Sequence, residues 1–149
     1  MGTEYGVVTN GCAAALAHIT AGCLAGTDKA LQARLPFTDG MPNEVIVQKC
    51  HRFGYDFAIK ASGGKLVEVE TLEEMQAAIS DNTVMMLFLG DALDNHPGQT
   101  QVPIATMAAL ANGDHPAHST PCAVATESCD SRLGFVVPAR LCQHAAFGD

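Results

Sequence analysis

Met41-Pro-Asn-Glu-Val-Ile-Val-Gln-Lys-Cys-His-Arg-Phe-Gly-Tyr55 decides the fold. Val45-Ile46-Val47 is a β-branched run that reads as a short strand. Gln48, Lys49, His51, Arg52 and Tyr55 follow it directly, polar and ring-bearing groups gathered past the carboxyl end of that strand. In an open α/β sheet, this is where a ligand crevice forms.

Working outward, residues 5–8 read as a strand and Thr9-Asn10-Gly11 as a turn in which Gly11 is free to take a strained backbone angle. Residues 12–24 are rich in Ala and Leu and predict a helix, ended by Gly26 with Thr27 and Asp28. Residues 29–42 read as a connection, with Pro36, Gly40 and Pro42 as breakers. Beyond the central strand, Phe53, Phe57, Ala58 and Ala61 share one helical face, predicting a helix over 53–62 closed by Gly63-Gly64. Residues 66–69 alternate apolar with Glu, as a strand near a sheet edge does. Thr71 and Glu74 form a capping box that opens a helix over 72–79. Residues 83–89 are apolar throughout except the first, the mark of a strand buried on both faces. Strands alternating with helices predict a mostly parallel sheet with right-handed crossovers.

After Gly90 the pattern changes. Residues 107–111 suit one or two helical turns. Residues 112–131 show neither a 2.0 nor a 3.6 period, and only 135–137 suggest a further short strand.

Composition limits the function classes. The 149 residues are enough for one domain with a hydrophobic core, and 48% are hydrophobic. A net charge of -8 without a basic cluster argues against a nucleic-acid surface. The six cysteines, at 12, 23, 50, 122, 129 and 142, form no Cys-x-x-Cys pair, and no leader or membrane-spanning run is recognisable. A cytoplasmic protein with reduced thiols is expected.

Three constellations could carry chemistry. At Thr9-Asn10-Gly11-Cys12, a polar turn feeds a helix amino terminus, whose amides and dipole can bind a phosphate; the same pattern also serves as a plain turn. At 48–52, His51 or a nearby Tyr could stack on a ligand ring and Arg52 could pair with an anion, or these residues are simply exposed loop positions. His115, His118, Cys122 and Cys129 are metal-ligating types in a segment with no regular framework to hold four ligands. Glu68, Glu70, Glu73 and Glu74 read as a solvated edge and helix start.

Residues 7–89 resemble the pyridoxal-phosphate (PLP) enzymes of the selenocysteine synthase (L-seryl-tRNA(Sec) selenium transferase)-like family, closest to its D-glucosaminate-6-phosphate ammonia-lyase-like members. The resemblance lies in Val8-Thr-Asn-Gly-Cys-Ala-Ala-Ala-Leu16, Ala25-Gly-Thr27, Gly40-Met41, Asn43-Glu-Val-Ile-Val-Gln-Lys49, His51-Arg52, Gly54-Tyr-Asp56 and Leu66-Val-Glu-Val-Glu-Thr71. It implies an α/β fold: a partial aspartate-aminotransferase-like (PLP fold type I) large domain over 1–111, with a mostly parallel three-layer sheet. Residues 112–149 would be an irregular tail, expected to arise from a frameshift or a mispredicted gene end. By the same resemblance Asn10, Gly11 and Cys12 would line the cofactor phosphate and His51 would pack on its pyridine ring. Arg52 and Tyr55 would lie toward a small-molecule substrate or a neighbouring subunit of a homo-oligomer.

The chain also departs from the pattern. Relatives generally carry Gly at the position of Cys50, and Asn and His at those of Phe53 and Phe57. The aspartate that pairs with the pyridinium nitrogen and the Schiff-base lysine are not recognisable, and no lysine follows Lys65. PLP needs both to act as an electron sink, so no catalytic residue is assigned. The expectation is a piece of a lyase or transferase that removes a proton alpha to an amine and eliminates a β group, inactive alone. The alternatives are L-seryl-tRNA(Sec) selenium transfer and a non-catalytic α/β module that binds a phosphate-bearing ligand.

Overall fold

The structure, a computed structural model, describes residues 9–89, 100–111 and the backbone of 123–127. Its elements in chain order are α1 (Cys12–Ala25), α2 (Lys29–Arg34), β1 (Glu44–Gln48), a 3-10 turn (Lys49–His51), α3 (Phe57–Ala61), β2 (Lys65–Val69), α4 (Leu72–Ala78), β3 (Thr83–Leu89), α5 (Ile104–Ala111) and β4 (Ala123–Glu127). The four strands form one parallel sheet in the order β2-β1-β3-β4.

Helix placement follows from that order. The chain moves outward from β1 to β2, then returns across β1 to β3 and continues to β4. With crossovers of one hand, a reversal of direction puts the connecting helices on opposite faces. Accordingly, Ala58 and Ile59 of α3 pack with Leu16 and Leu24 of α1 on one face, while Met75 of α4 and Met107 and Leu110 of α5 pack on the other. Side chains of β1 alternate between the two cores, Val45 and Val47 facing α1 and α3 and Ile46 facing α4 and α5. The pairing of β1 with β3 skips Val84, so Val84 and Met85 both join the α1 side. Every residue of β3 is buried, as its unbroken apolar run predicts for a strand between two neighbours.

Several sequence expectations are corrected. The connection over 29–42 contains α2, because the Asp28 carboxylate accepts hydrogen bonds from the amides of Ala30 and Leu31 and starts a helical turn. The helix predicted from 53 begins only at Phe57. Its buried side chains are Ala58 and Ile59, whereas Phe57 is exposed, because helix face is set by contact with α1 rather than by apolar spacing alone. Within the segment read as irregular, β4 pairs in register with the edge of β3. The strands expected at 5–8 and 135–137 lie outside the described residues.

The remaining elements follow local rules. Thr71 caps α4 by accepting from the Glu74 amide, and the Glu74 carboxylate accepts from the Glu70 amide. Gly63 is required by its backbone: φ is 99°, and a Cβ there would stand 2.5 Å from the Pro36 carbonyl oxygen. The segment before β1 is fastened to that point by the Thr38 hydroxyl, which donates to the Gly63 carbonyl at 2.9 Å.

Candidate functional site

The carboxyl ends of β1 and β3 adjoin where the strand order reverses, the place at which open α/β sheets bind ligands. Here the chain itself fills much of the crevice. Gln48 is 2% exposed: its amide nitrogen donates to the carbonyls of Glu70 and Thr100, and its oxygen accepts from the Val102 amide at 2.9 Å. His51 is wholly buried. Its Nδ1 accepts from the Leu89 amide at 3.0 Å, Nε2 lies 3.4 Å from the Gln101 side-chain amide, and the ring rests on Phe88 with centroids 4.5 Å apart. Accepting at Nδ1 places the ring proton on Nε2, the nitrogen that faces the Gln101 side-chain amide. Burial pushes the His51 pKa down to about 4, which keeps the ring neutral.

The cations of this segment are also engaged within the chain. Arg52 pairs with Asp56 and Glu68, and the hydrogen bond to Asp56 raises its pKa first of all. Lys49 pairs with Glu70, whose hydrogen bond and charge raise the lysine's pKa. Burial raises the Cys50 thiol, a setting that suits an inert packing residue.

An open cleft of about 370 Å³ lies beside this closed network, lined by Asn10, Gly11, Cys12, Ala13, Ala14 and Tyr55. It sits on the carboxyl side of the sheet. The Ser62 hydroxyl, near the start of β2, donates to the Ala17 carbonyl, and Thr20 stands against Gly64; α1 thus runs antiparallel to the strands and begins at their carboxyl edge. Gly11 precedes α1 with φ 123° and ψ 175°, a region open to glycine, and among the described residues no side chain caps the helix. The first turn carries no acidic residue. Such a terminus presents backbone amides and a positive dipole end to an anion. Tyr55 is 48% exposed at this cleft, and Phe53 meets its ring edge-to-face at 6.1 Å.

The predicted site residues are therefore divided. Asn10, Gly11, Cys12 and Tyr55 share one cleft, Arg52 is held by two carboxylates, and His51 is enclosed behind the sheet edge. The alternative that made His51 an exposed loop residue does not hold: its ring is buried and supplies the acceptor that the Leu89 amide needs. Glu68, Glu70 and Glu74 are not merely a solvated run, since each holds a partner named above. Sequence reading set Gln48 among the polar groups of the crevice and missed its structural role. Its even spacing from Ile46 was the available signal, because that parity aims it at the α4 and α5 side.

Two curated relatives align with the chain. One is 5'-C-glycyluridine monooxygenase-decarboxylase of Streptomyces sp, 33% identical over 98 residues; the other is D-glucosaminate-6-phosphate ammonia lyase of Salmonella typhimurium, 30% identical over 97 residues. Both alignments cover 59% of this chain, which spans 25% and 26% of the relatives' own lengths. A solved D-glucosaminate-6-phosphate ammonia-lyase superposes with a TM-score of 0.70 at 24% identity, over 85% of this chain and 34% of that one. Aspartate aminotransferase of Thermotoga maritima superposes with a TM-score of 0.52 at 20% identity, over 81% of this chain and 29% of that one. The chain carries part of the aspartate-aminotransferase fold. This is the fold class expected from the sequence. No protein-family model matches the chain. Among the described residues no helix is long and apolar enough to cross a membrane, and no three His, Cys, Asp or Glu side chains form a metal-binding group. His115, His118, Cys122 and Cys129 lie outside the described side chains.

Proposed function

We propose that this chain supplies the phosphate-holding side of a PLP pocket in a lyase whose substrate is an amino-sugar acid phosphate. One observation carries the reading: α1 opens without a side-chain cap, through Gly11 at φ 123°, into a cleft at the carboxyl edge of a parallel sheet. The relatives named a lyase and a monooxygenase-decarboxylase support it from the sequence side.

The residues present fit the phosphate end of the cofactor. Asn10, Gly11 and Cys12 would hold it, with the small side chains of Ala13 and Ala14 allowing close approach to the backbone. When bound, PLP supplies an electron sink for loss of a proton alpha to an amine and elimination of the β group. The covalent end is not met by this chain. Lys49 pairs with Glu70 and Lys65 with Glu44, Lys29 donates to Gln32, Lys60 lies on α3, and none lines the cleft. The chain on its own therefore binds without turning over. Selenium transfer to a tRNA is less well supported, since Lys49, Arg52 and Lys65 are all neutralised by carboxylates rather than presented as a basic face.

Equilibrium dialysis against PLP tests the pocket. Binding that inorganic phosphate displaces, and that pyridoxal without its phosphate fails to reproduce, is the expected result. Gly11→Val, which forces a β-branched residue into a glycine conformation, weakens binding by roughly tenfold. Binding of pyridoxal equal to that of PLP would refute the phosphate cradle.

A further inference from the structure

We infer that Tyr55, rather than His51, is the side chain that lies against the cofactor's pyridine ring in this chain, His51 being an internal clasp of the sheet edge. The inference rests on the pocket proposed above and reassigns one of its contacts. A ring partner must offer an open face beside the anion cradle. His51 offers none: its edge is taken by the Leu89 amide and Gln101, its ring rests on Phe88, and no part of it reaches the surface. Turning it toward a ligand would leave the Leu89 amide buried without an acceptor.

Tyr55 meets both requirements. It lines the cleft that Asn10, Gly11 and Cys12 also line, and about half of it is open to solvent. Phe53, itself packed on the α1 side of the core, braces the ring edge-to-face, which restricts its orientation before any ligand arrives. A cleft of about 370 Å³ is of the size that holds small cofactors. Arg52 cannot claim the same ligand, because Asp56 and Glu68 already take its guanidinium.

The composition of the chain supplies the assay: it contains two tyrosines, Tyr5 and Tyr55, and no tryptophan. In a Tyr5→Phe background the ultraviolet emission comes from Tyr55 alone. Added PLP quenches it in step with the binding measured by dialysis, and inorganic phosphate restores it. Tyr55→Phe keeps PLP affinity within about twofold, because a flat ring remains, while Tyr55→Leu lowers it about tenfold. Phosphate-displaceable binding with equal affinity in Tyr55→Leu and the parent overturns the inference and leaves the pocket standing. A folded His51→Asn variant that loses as much affinity as Tyr55→Leu returns the ring contact to His51. No phosphate-displaceable binding at all overturns the pocket and the inference together.

Discussion

Acid should weaken the His51 clasp. The ring is buried, and its Nδ1 already accepts the Leu89 amide, so a proton added there would set one N–H against another. Burial holds the folded pKa at about 4, against 6.5 for an unperturbed histidine. Between those values the unfolded chain binds a proton that the folded chain refuses, so stability falls as pH is lowered through 6.5 and levels off below about 4. At about 1.4 kcal/mol per unit, the gap amounts to about 3 kcal/mol, a large fraction of the stability of a small domain. The assay is urea unfolding followed by circular dichroism at intervals from pH 7.5 to 4. Paired carboxylates such as Asp56 and Glu68 also lose partners in acid, so the parent curve alone does not isolate the histidine. His51→Asn does, because its side-chain oxygen can accept the Leu89 amide and does not titrate. The parent should lose about 3 kcal/mol more than His51→Asn over this range. Parallel curves for the two proteins would refute the buried, neutral clasp.

Two further substitutions test the packing of α1 and of the segment that precedes β1. Thr20→Val should raise stability by about 1 kcal/mol in urea unfolding, because Thr20 is wholly buried and its hydroxyl has no hydrogen-bond partner among the described residues; a lower urea midpoint would reveal a bonded hydroxyl. Gly63→Ala should lower stability by about 2 kcal/mol or more, since φ is 99° and the new methyl would fall 2.5 Å from the Pro36 carbonyl oxygen and 2.7 Å from the Thr38 methyl. An unchanged midpoint there would mean that the 36–38 segment yields freely.

The sequence revealed elements wherever local pattern and tertiary setting agree. The run over 83–89 reads as a doubly covered strand because two neighbours and two helix layers do cover it. Thr71 and Glu74 predict a helix start because capping is settled within four residues. α2 was obscured because its signal, one Asp28 carboxylate, stands beside three chain breakers. β4 was obscured because its pairing depends on a free edge of β3 far away in sequence rather than on its own period. The site shows the same limit. His51 and Arg52 announce their chemistry, but whether they face a ligand depends on Leu89, Phe88, Asp56 and Glu68, and no spacing rule fixes those partners.

The division between clasp and cleft follows from how buried backbone groups must be satisfied. At the reversal between β1 and β3, the strands end while their surroundings stay buried, so the amides of Leu89 and Val102 need acceptors that no further strand supplies. Gln48 and His51 provide them, and in doing so tie β1 to β3 and to residues 100–102, closing part of the crevice where a ligand would otherwise lie. The opposite situation holds on the α1 side. There the helix begins at solvent, without a side-chain cap, and its first turn faces an open cleft. An anion gains from helix-terminal amides and a dipole end, and gains nothing from a histidine whose lone pair is already used. On the pocket proposed above, a ligand would lie at the edge between α1 and Tyr55, while Gln48 and His51 act by tying β1 to β3 and to residues 100–102.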